Sequence, residues 1–252
     1  MKEIIKNLPY RDPKPREKGL TMIMDKGLSI RQAEDLLSLN HEFIDIIKLG
    51  FGTSILTPNI SQKIKLYQKN GIIVYPGGTL FEVFAVRNQI EEYKKYLDKI
   101  GVDTLEISDG SMNIKHEEKC TFIKDFSKNF TVLSEVGSKN ENIELSEDLW
   151  INYINNEIDA GSWKVITEAR EGGNIGIFQS DCSINENLIN SISEKVKESK
   201  ILWEAPQKDQ QVWFINNFGS NVNLGNICPN EILSLECLRL GLRGDTFHQF
   251  LK

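Results

Sequence analysis

Acidic and amide side chains recur in this 252-residue chain at the ends of short apolar runs: Asp25, Glu106, Glu135, Glu168, Glu204 and Asn223. If these groups converge, the carboxylates repel one another and lose hydration, at several kcal/mol for each unpaired charge. Cations must then lie among them. Lys26, Lys48, Lys139 and Arg170 stand at or just beyond the same run ends. An oxygen-rich set without histidine or cysteine suits magnesium, which keeps waters and shares its shell with an anionic substrate. Taken singly, each Glu reads equally as a salt-bridge partner or a helix cap, so the signal lies in the group. Glycines add a second signal, because Gly50, Gly52, Gly77, Gly78 and Gly225 follow or close the same runs. Backbone N–H groups exposed there can hold a phosphate or carboxylate, although each glycine alone reads as a tight turn. None completes a dinucleotide or phosphate-loop fingerprint.

The runs that must position these groups are GLTMIMD, FIDIIKLG, GIIVYP, VDTLEIS, FTVLSEV, SWKVITEAR, KILWEAP and SNVNLGN. Roughly 20 to 40 residues separate successive starts, room for one crossover helix each time, which is the layout of a (β/α)₈ barrel. We expect an N-terminal arm over 1–17, rich in proline, on the barrel's outside or lower end, and a single catalytic barrel domain over 18–252. Catalytic groups in such barrels sit at the carboxyl ends of the strands. Alternation along a strand puts Lys48 on a face with Ile46, Glu168 with Ile166 and Lys164, and Asp25 with Ile23. Strand eight often holds phosphate in barrels, which singles out Asn223, Gly225 and Asn226. Arg239 and Arg243 could reach the same anion or pair with surface acids. SIRQAEDLLSLN reads as a helix capped by Ser29, and LFEVFAVRNQIEEYKKYLDKIG as one long helix closed by Gly101. The glycine-rich stretch EGGNIGIFQSDCSINENL after strand six is the expected lid, with a short hairpin.

The net charge is −6, the isoelectric point is near 5.3, and the 30 Lys and Arg are dispersed. That pattern gives no footprint for nucleic acid or an anionic membrane. No stretch has the length of a signal-peptide core or a membrane span, so a cytoplasmic location is expected. Cys120, Cys182, Cys228 and Cys237, and His41, His116 and His248, lack metal-site spacing. No Ser-His-Asp grammar appears either.

Nine segments in order, KPREKGLTMIMDKG, IIKLGFGTS, YPGGTLFE, LEISDG, SEVGSK, EAREGG, WEAPQKDQQVWFI, NVNLGNI and LRLGLRGDTF, resemble the phosphosulfolactate synthase (ComA) family. The resemblance runs from about residue 13 to the C-terminus. It departs in the loop GGNIGIFQSD, in SEVGSK and in the N-terminal arm. What it implies is a magnesium-dependent addition of sulfite to phosphoenolpyruvate through an ene-diolate, giving (2R)-3-sulfolactate phosphate, the product of a carbon–sulfur lyase. It further implies Lys139 as general acid, Arg170 and Lys48 as clamps for sulfite or the substrate carboxylate, and Glu106, Glu135, Glu168 and Glu204 as magnesium candidates. Lys26, Asn223, Gly225, Asn226 and Arg243 are the expected substrate-binding residues. Two other readings stay open: a Schiff-base aldolase on Lys48, and a non-catalytic barrel of the heat-stress-associated type. The product's further use is open, and the helix patterns leave room for a homo-oligomer.

Overall fold

A computed structural model describes residues 4–137, 145–169 and 172–251. Every apolar run named above is a strand followed by helix. β1 (Thr21–Asp25) leads to α1 (Ile30–Asn40), β2 (Ile46–Leu49) to α2 (Thr53–Leu56) and α3 (Ile60–Lys69), and β3 (Ile73–Pro76) to α4 (Gly78–Ala85) and α5 (Ile90–Ile100). β4 (Thr104–Ile107) precedes α6 (His116–Phe126), β5 (Thr131–Val136) precedes α7 (Glu147–Ala160), and β6 (Lys164–Thr167) precedes α8 (Glu186–Lys195). β7 (Ile201–Glu204), α9 (Lys208–Phe218), β8 (Leu224–Ile227) and α10 (Ile232–Arg239) complete the order. The strands form one parallel sheet in the order β3-β2-β1-β8-β7-β6-β5-β4, with Thr21 of β1 in register with Leu224 of β8. β3 and β4 meet without a hydrogen-bonded ladder. The architecture is a (β/α)₈ barrel whose wall has one seam.

Local chemistry explains the helix ends. The Ser29 hydroxyl accepts from the Gln32 N–H, and the Gln32 side chain accepts from the Ser29 N–H, so α1 starts on a reciprocal cap. α5 stops at Gly101, whose φ of 79° is the left-handed conformation that glycine adopts without penalty. The single helix expected over residues 80–101 is instead α4 and α5. Between them Asn88 takes φ 55°, a conformation that asparagine tolerates and a continuous helix does not.

Two apolar layers follow from strand alternation. Leu20, Met22, Ile46, Tyr75, Leu133, Ile166 and Leu202 fill the inside of the barrel. A larger layer, including Ile23, Ile47, Val74, Leu105, Val132, Val165 and Trp203, packs between sheet and helices. Each such side chain contributes about 1.5–3 kcal/mol of burial. The described part of the N-terminal arm closes the lower end. Arg11 donates to the Ser220 carbonyl and to Asn221 and pairs with Glu236 at 3.0 Å. Lys14 donates to the carbonyls of His41 and Ile44, and Arg16 pairs with Asp45 at 2.9 Å. Among the described residues no helix is long and apolar enough to cross a membrane.

Candidate active site

At the upper end of the barrel one ammonium stands among three carboxylates. Lys48 shares the inner face of β2 with Ile46, which fills the barrel below it. Its Nζ lies 2.9 Å from Glu106 Oε2, 3.1 Å from Glu135 Oε2 and 3.6 Å from Glu204 Oε1. The three acids come from β4, β5 and β7, and all four side chains are buried. Backbone groups fix the carboxylates further. Glu106 Oε1 accepts from the Gly78 N–H at 2.7 Å, and Glu204 Oε2 accepts from the Ala169 N–H at 3.1 Å and from Asn226 Nδ2 at 3.4 Å. Tyr75, in register with Lys48, donates its hydroxyl to Met22 Sδ at 2.8 Å and lies against Glu106.

Burial and pairing pull these groups in different directions. Burial alone would lower the pKa of Lys48, but Glu106, Glu135 and Glu204 outweigh it and hold the ammonium well above its ordinary value. Burial raises Glu106, with Lys48 opposing, and pushes Glu204 up to about 7 against the same opposition. Tyr75 is pushed well above the usual phenol range by burial and by Glu106, and stays neutral. Lys48 is therefore a charged counter-ion. A Schiff base needs a neutral amine, so the aldolase reading draws no support from these contacts.

The β3–β4 seam is closed by side chains of this same region. Gly78 opens α4 directly against it, and a Cβ there would lie 2.3 Å from Ser108 Oγ and 2.7 Å from Glu106 Oε1. Ser108 donates to Glu82 of α4, whose other oxygen accepts from the Ser111 N–H at 3.0 Å. These contacts substitute for the missing ladder.

The other expected site residues are distributed unevenly. Glu168 follows β6 on the same face as Ile166 and is buried, with Gly137 packed so closely that a Cβ there would lie 2.5 Å from the Glu168 Cβ. Asn226 is on β8 beside Glu204, and Lys26 is exposed just beyond β1. Asn223 precedes β8 at its amino end, where it accepts from the Leu20 N–H and donates to the Ile201 carbonyl, so it braces the lower half of the wall. Gly225 faces the barrel interior, where a Cβ would lie 2.6 Å from Met22 Cε. Its missing side chain makes room for packing. Arg243 pairs with Asp245 at 3.2 Å on the outside, beside Lys208. Arg239 is wholly buried at the lower end and donates to the carbonyls of Ser220, Val222 and Leu20. Asp25 points outward, held by Lys63 at 2.8 Å and by the Tyr67 hydroxyl at 2.9 Å, because it shares the helix-facing side of β1 with Ile23. Lys139 and Arg170 lie outside the described residues. The stretch after β6 forms the expected small hairpin through Phe178 and Ile184. It is seated on the barrel by buried Ile177 and Phe178 and by bonds from Gln207 and Gln210 of the α9 region to the Gly172 and Gly173 carbonyls.

The candidate donor atoms among the described residues are carboxylate oxygens, the type that a hard divalent cation prefers. Among the described residues, no three acidic, histidine or cysteine side chains form a ready cage. An ion here would take much of its shell from water and substrate, as magnesium usually does.

A match along nearly the whole chain decides the family. The (2R)-phospho-3-sulfolactate synthase (ComA) family model matches residues 9–245. The chain belongs to this family. Among phosphosulfolactate synthases, that of Methanocaldococcus jannaschii is 44% identical over 237 residues, covering 92% of this chain and 94% of the relative. That of Methanothermobacter thermautotrophicus is 42% identical over 244 residues, covering 94% and 95%. Of solved structures, 3-hexulose-6-phosphate synthase from Salmonella typhimurium superposes with a TM-score of 0.54 at 12% identity, covering 89% of this chain and all of its own, which shows the shared barrel fold alone. Family membership makes this chain an enzyme and makes the carboxylate-lined mouth its candidate active site.

Sequence reasoning missed Tyr75, Glu82 and Ser108. Counting alternate residues along GIIVYP places Tyr75 on the face of Ile73, so the first was within reach. Glu82 is the fifth residue of a helix, and nothing in its spacing points toward β4.

Proposed function

We propose that this chain adds sulfite to phosphoenolpyruvate in a magnesium-dependent reaction that gives (2R)-3-sulfolactate phosphate. Family membership supports the reading, and the observation that carries it is the Lys48 ammonium enclosed by Glu106, Glu135 and Glu204 at the barrel mouth. The sulfur lone pair attacks the methylene carbon, and the carbon–carbon π pair moves toward the carboxylate to give an ene-diolate. The neighbouring carbon then takes a proton, and the phosphate ester stays intact. A magnesium ion held by Glu106, Glu135, Glu168 and Glu204, directly or through water, would supply Lewis-acid stabilisation of the charge gathering on the substrate carboxylate.

The chain's own groups have separate tasks in this scheme. Lys48, kept protonated, limits repulsion among the carboxylates and fixes their spacing. Glu106 and Glu204 are further oriented by backbone N–H donors that need no reorganisation during the reaction. Lys139 is the proposed proton donor to carbon. Arg170 is the proposed clamp for sulfite or the substrate carboxylate, because its planar fork makes two parallel bonds. Lys26 and Asn226 remain candidates for holding the substrate at the rim.

The test mixes purified protein, phosphoenolpyruvate, sulfite and magnesium and follows product by phosphorus NMR. The expected result is a new phosphate-ester resonance with the parent and its loss in Lys139→Ala and Arg170→Ala. A folded parent protein that forms no product with any concentration of magnesium would overturn the assignment.

A further inference from the structure

Behind β5, on the side away from the mouth, α6 sends Lys119 to the back of the strand. Its Nζ donates to the Glu135 carbonyl at 2.5 Å and lies 2.9 Å from Asp109 Oδ1 and 2.8 Å from Glu157 Oε1. The Lys119 side chain is 1% exposed and that of Glu157 is wholly buried. An ion pair placed this deep is costly, and apolar side chains of similar volume usually fill such a space with no loss of stability. The bond to the strand gives the pair a specific task. The β4–β5 ladder ends with Ile107 opposite Ser134, so the Glu135 carbonyl lies one residue beyond it. Lys119 supplies the donor that β4 no longer offers. Its anchors come from two further segments: Asp109 follows β4, and Glu157 belongs to α7. On the opposite face of β5, the carboxylate of this same Glu135 touches Lys48. Burial opposes the ammonium, but Glu157 and Asp109 outweigh it and keep Lys119 charged.

We propose that Lys119 is a positioning residue, which fixes the carbonyl end of β5 and thereby the placement of the Glu135 carboxylate against Lys48. The inference rests on the reading of the barrel mouth as the active site, though not on the identity of the substrates. The double variant Lys119→Met, Glu157→Gln removes both charges together and keeps the volume. With phosphoenolpyruvate and sulfite we expect kcat to fall about tenfold, up to the roughly hundredfold that a misplacement of about 1 Å can cost, with KM changed less. Amide exchange over 131–137 and 164–168 should speed up, while β1 keeps the parent rates. Lys119→Arg, which restores a donor, should recover part of kcat. If the parent makes no product, the substrate assignment fails and the exchange rates alone judge Lys119. Parent-like kcat per folded molecule, or with an inactive parent parent-like exchange over 131–137, would overturn the proposal. Should the double variant not fold, Asp109→Asn takes its place under the same criteria, since Asp109 is partly exposed and easier to replace.

Discussion

Replacing Lys48 by methionine keeps the shape of the side chain and removes its charge from among Glu106, Glu135 and Glu204. The nearest contacts are 2.9 and 3.1 Å, and every partner is buried, so water cannot take over the ammonium's role. Removing one member of a buried ion pair costs about 3–5 kcal/mol, which for a domain of this size lowers Tm by about 6–20 °C. The loss must depend on pH. Glu204 is already pushed from its ordinary 4.5 up to about 7 by burial, with Lys48 opposing the shift, and Lys48→Met removes that opposition for Glu204 and likewise for Glu106. A carboxyl whose pKa is higher in the folded state than in the unfolded state binds its proton more tightly when folded. It costs little stability below its unfolded pKa, and the cost grows as pH rises through the window up to the folded value. For Glu204 in the parent protein that window runs from 4.5 to about 7, and in the variant it extends upward. Calorimetric melting at about pH 5 and pH 8 should therefore show a Tm deficit that is clearly larger at the higher pH. An equal deficit at both, or none at pH 8, would refute the view that Lys48 is the counter-ion of a buried acidic cluster.

Gly78→Ala should lower kcat and cost about 1–3 kcal/mol in urea titration, because its methyl group meets Ser108 Oγ and Glu106 Oε1 well inside contact distance. Arg239→Met should cost about 2–4 kcal/mol by loss of charged bonds to buried carbonyls, while activity per folded molecule stays at the parent level, since those bonds lie at the lower end. Unchanged melting of Arg239→Met would refute its role as the brace of the lower end.

The barrel was legible because each strand carries a short β-branched or leucine-rich run and each run is followed by a helix, of which α1, α7 and α8 start on a side-chain cap. The carboxyl-end rule for barrel strands then placed Glu106, Glu135 and Glu204 at one mouth, and parity put Lys48 on a face with Ile46, since i and i+2 share a face. What parity does not supply is which face points inward. Asp25 and Ile23 do share a side, but it is the helix side, where Lys63 and Tyr67 of α3 reach Asp25 through the fold and not through sequence spacing. Asn223 was displaced by a boundary: SNVNLGN begins its ladder only at Leu224, which puts Asn223 at the lower end and leaves Asn226 at the mouth. The arginines of LRLGLRGDT show the same limit. One turn decides whether the side chain is buried, as in Arg239, or lies outside, as in Arg243. Lys119 and Glu157 look like ordinary polar positions of amphipathic helices, and only packing reveals the carbonyl between them.

Every backbone ladder of the wall lies on one path that starts at β4, passes through β8 and β1, and ends at β3. The cylinder is thus a ribbon bent round until its two long edges touch, clasped by Gly78, Glu106, Ser108 and Glu82. A circularly permuted chain, opened in the turn between α4 and α5 and joined at its former termini, would keep all of those ladders. Its strands would then run in the linear succession of the ribbon itself, and the clasp would become a contact between the first strand and the last.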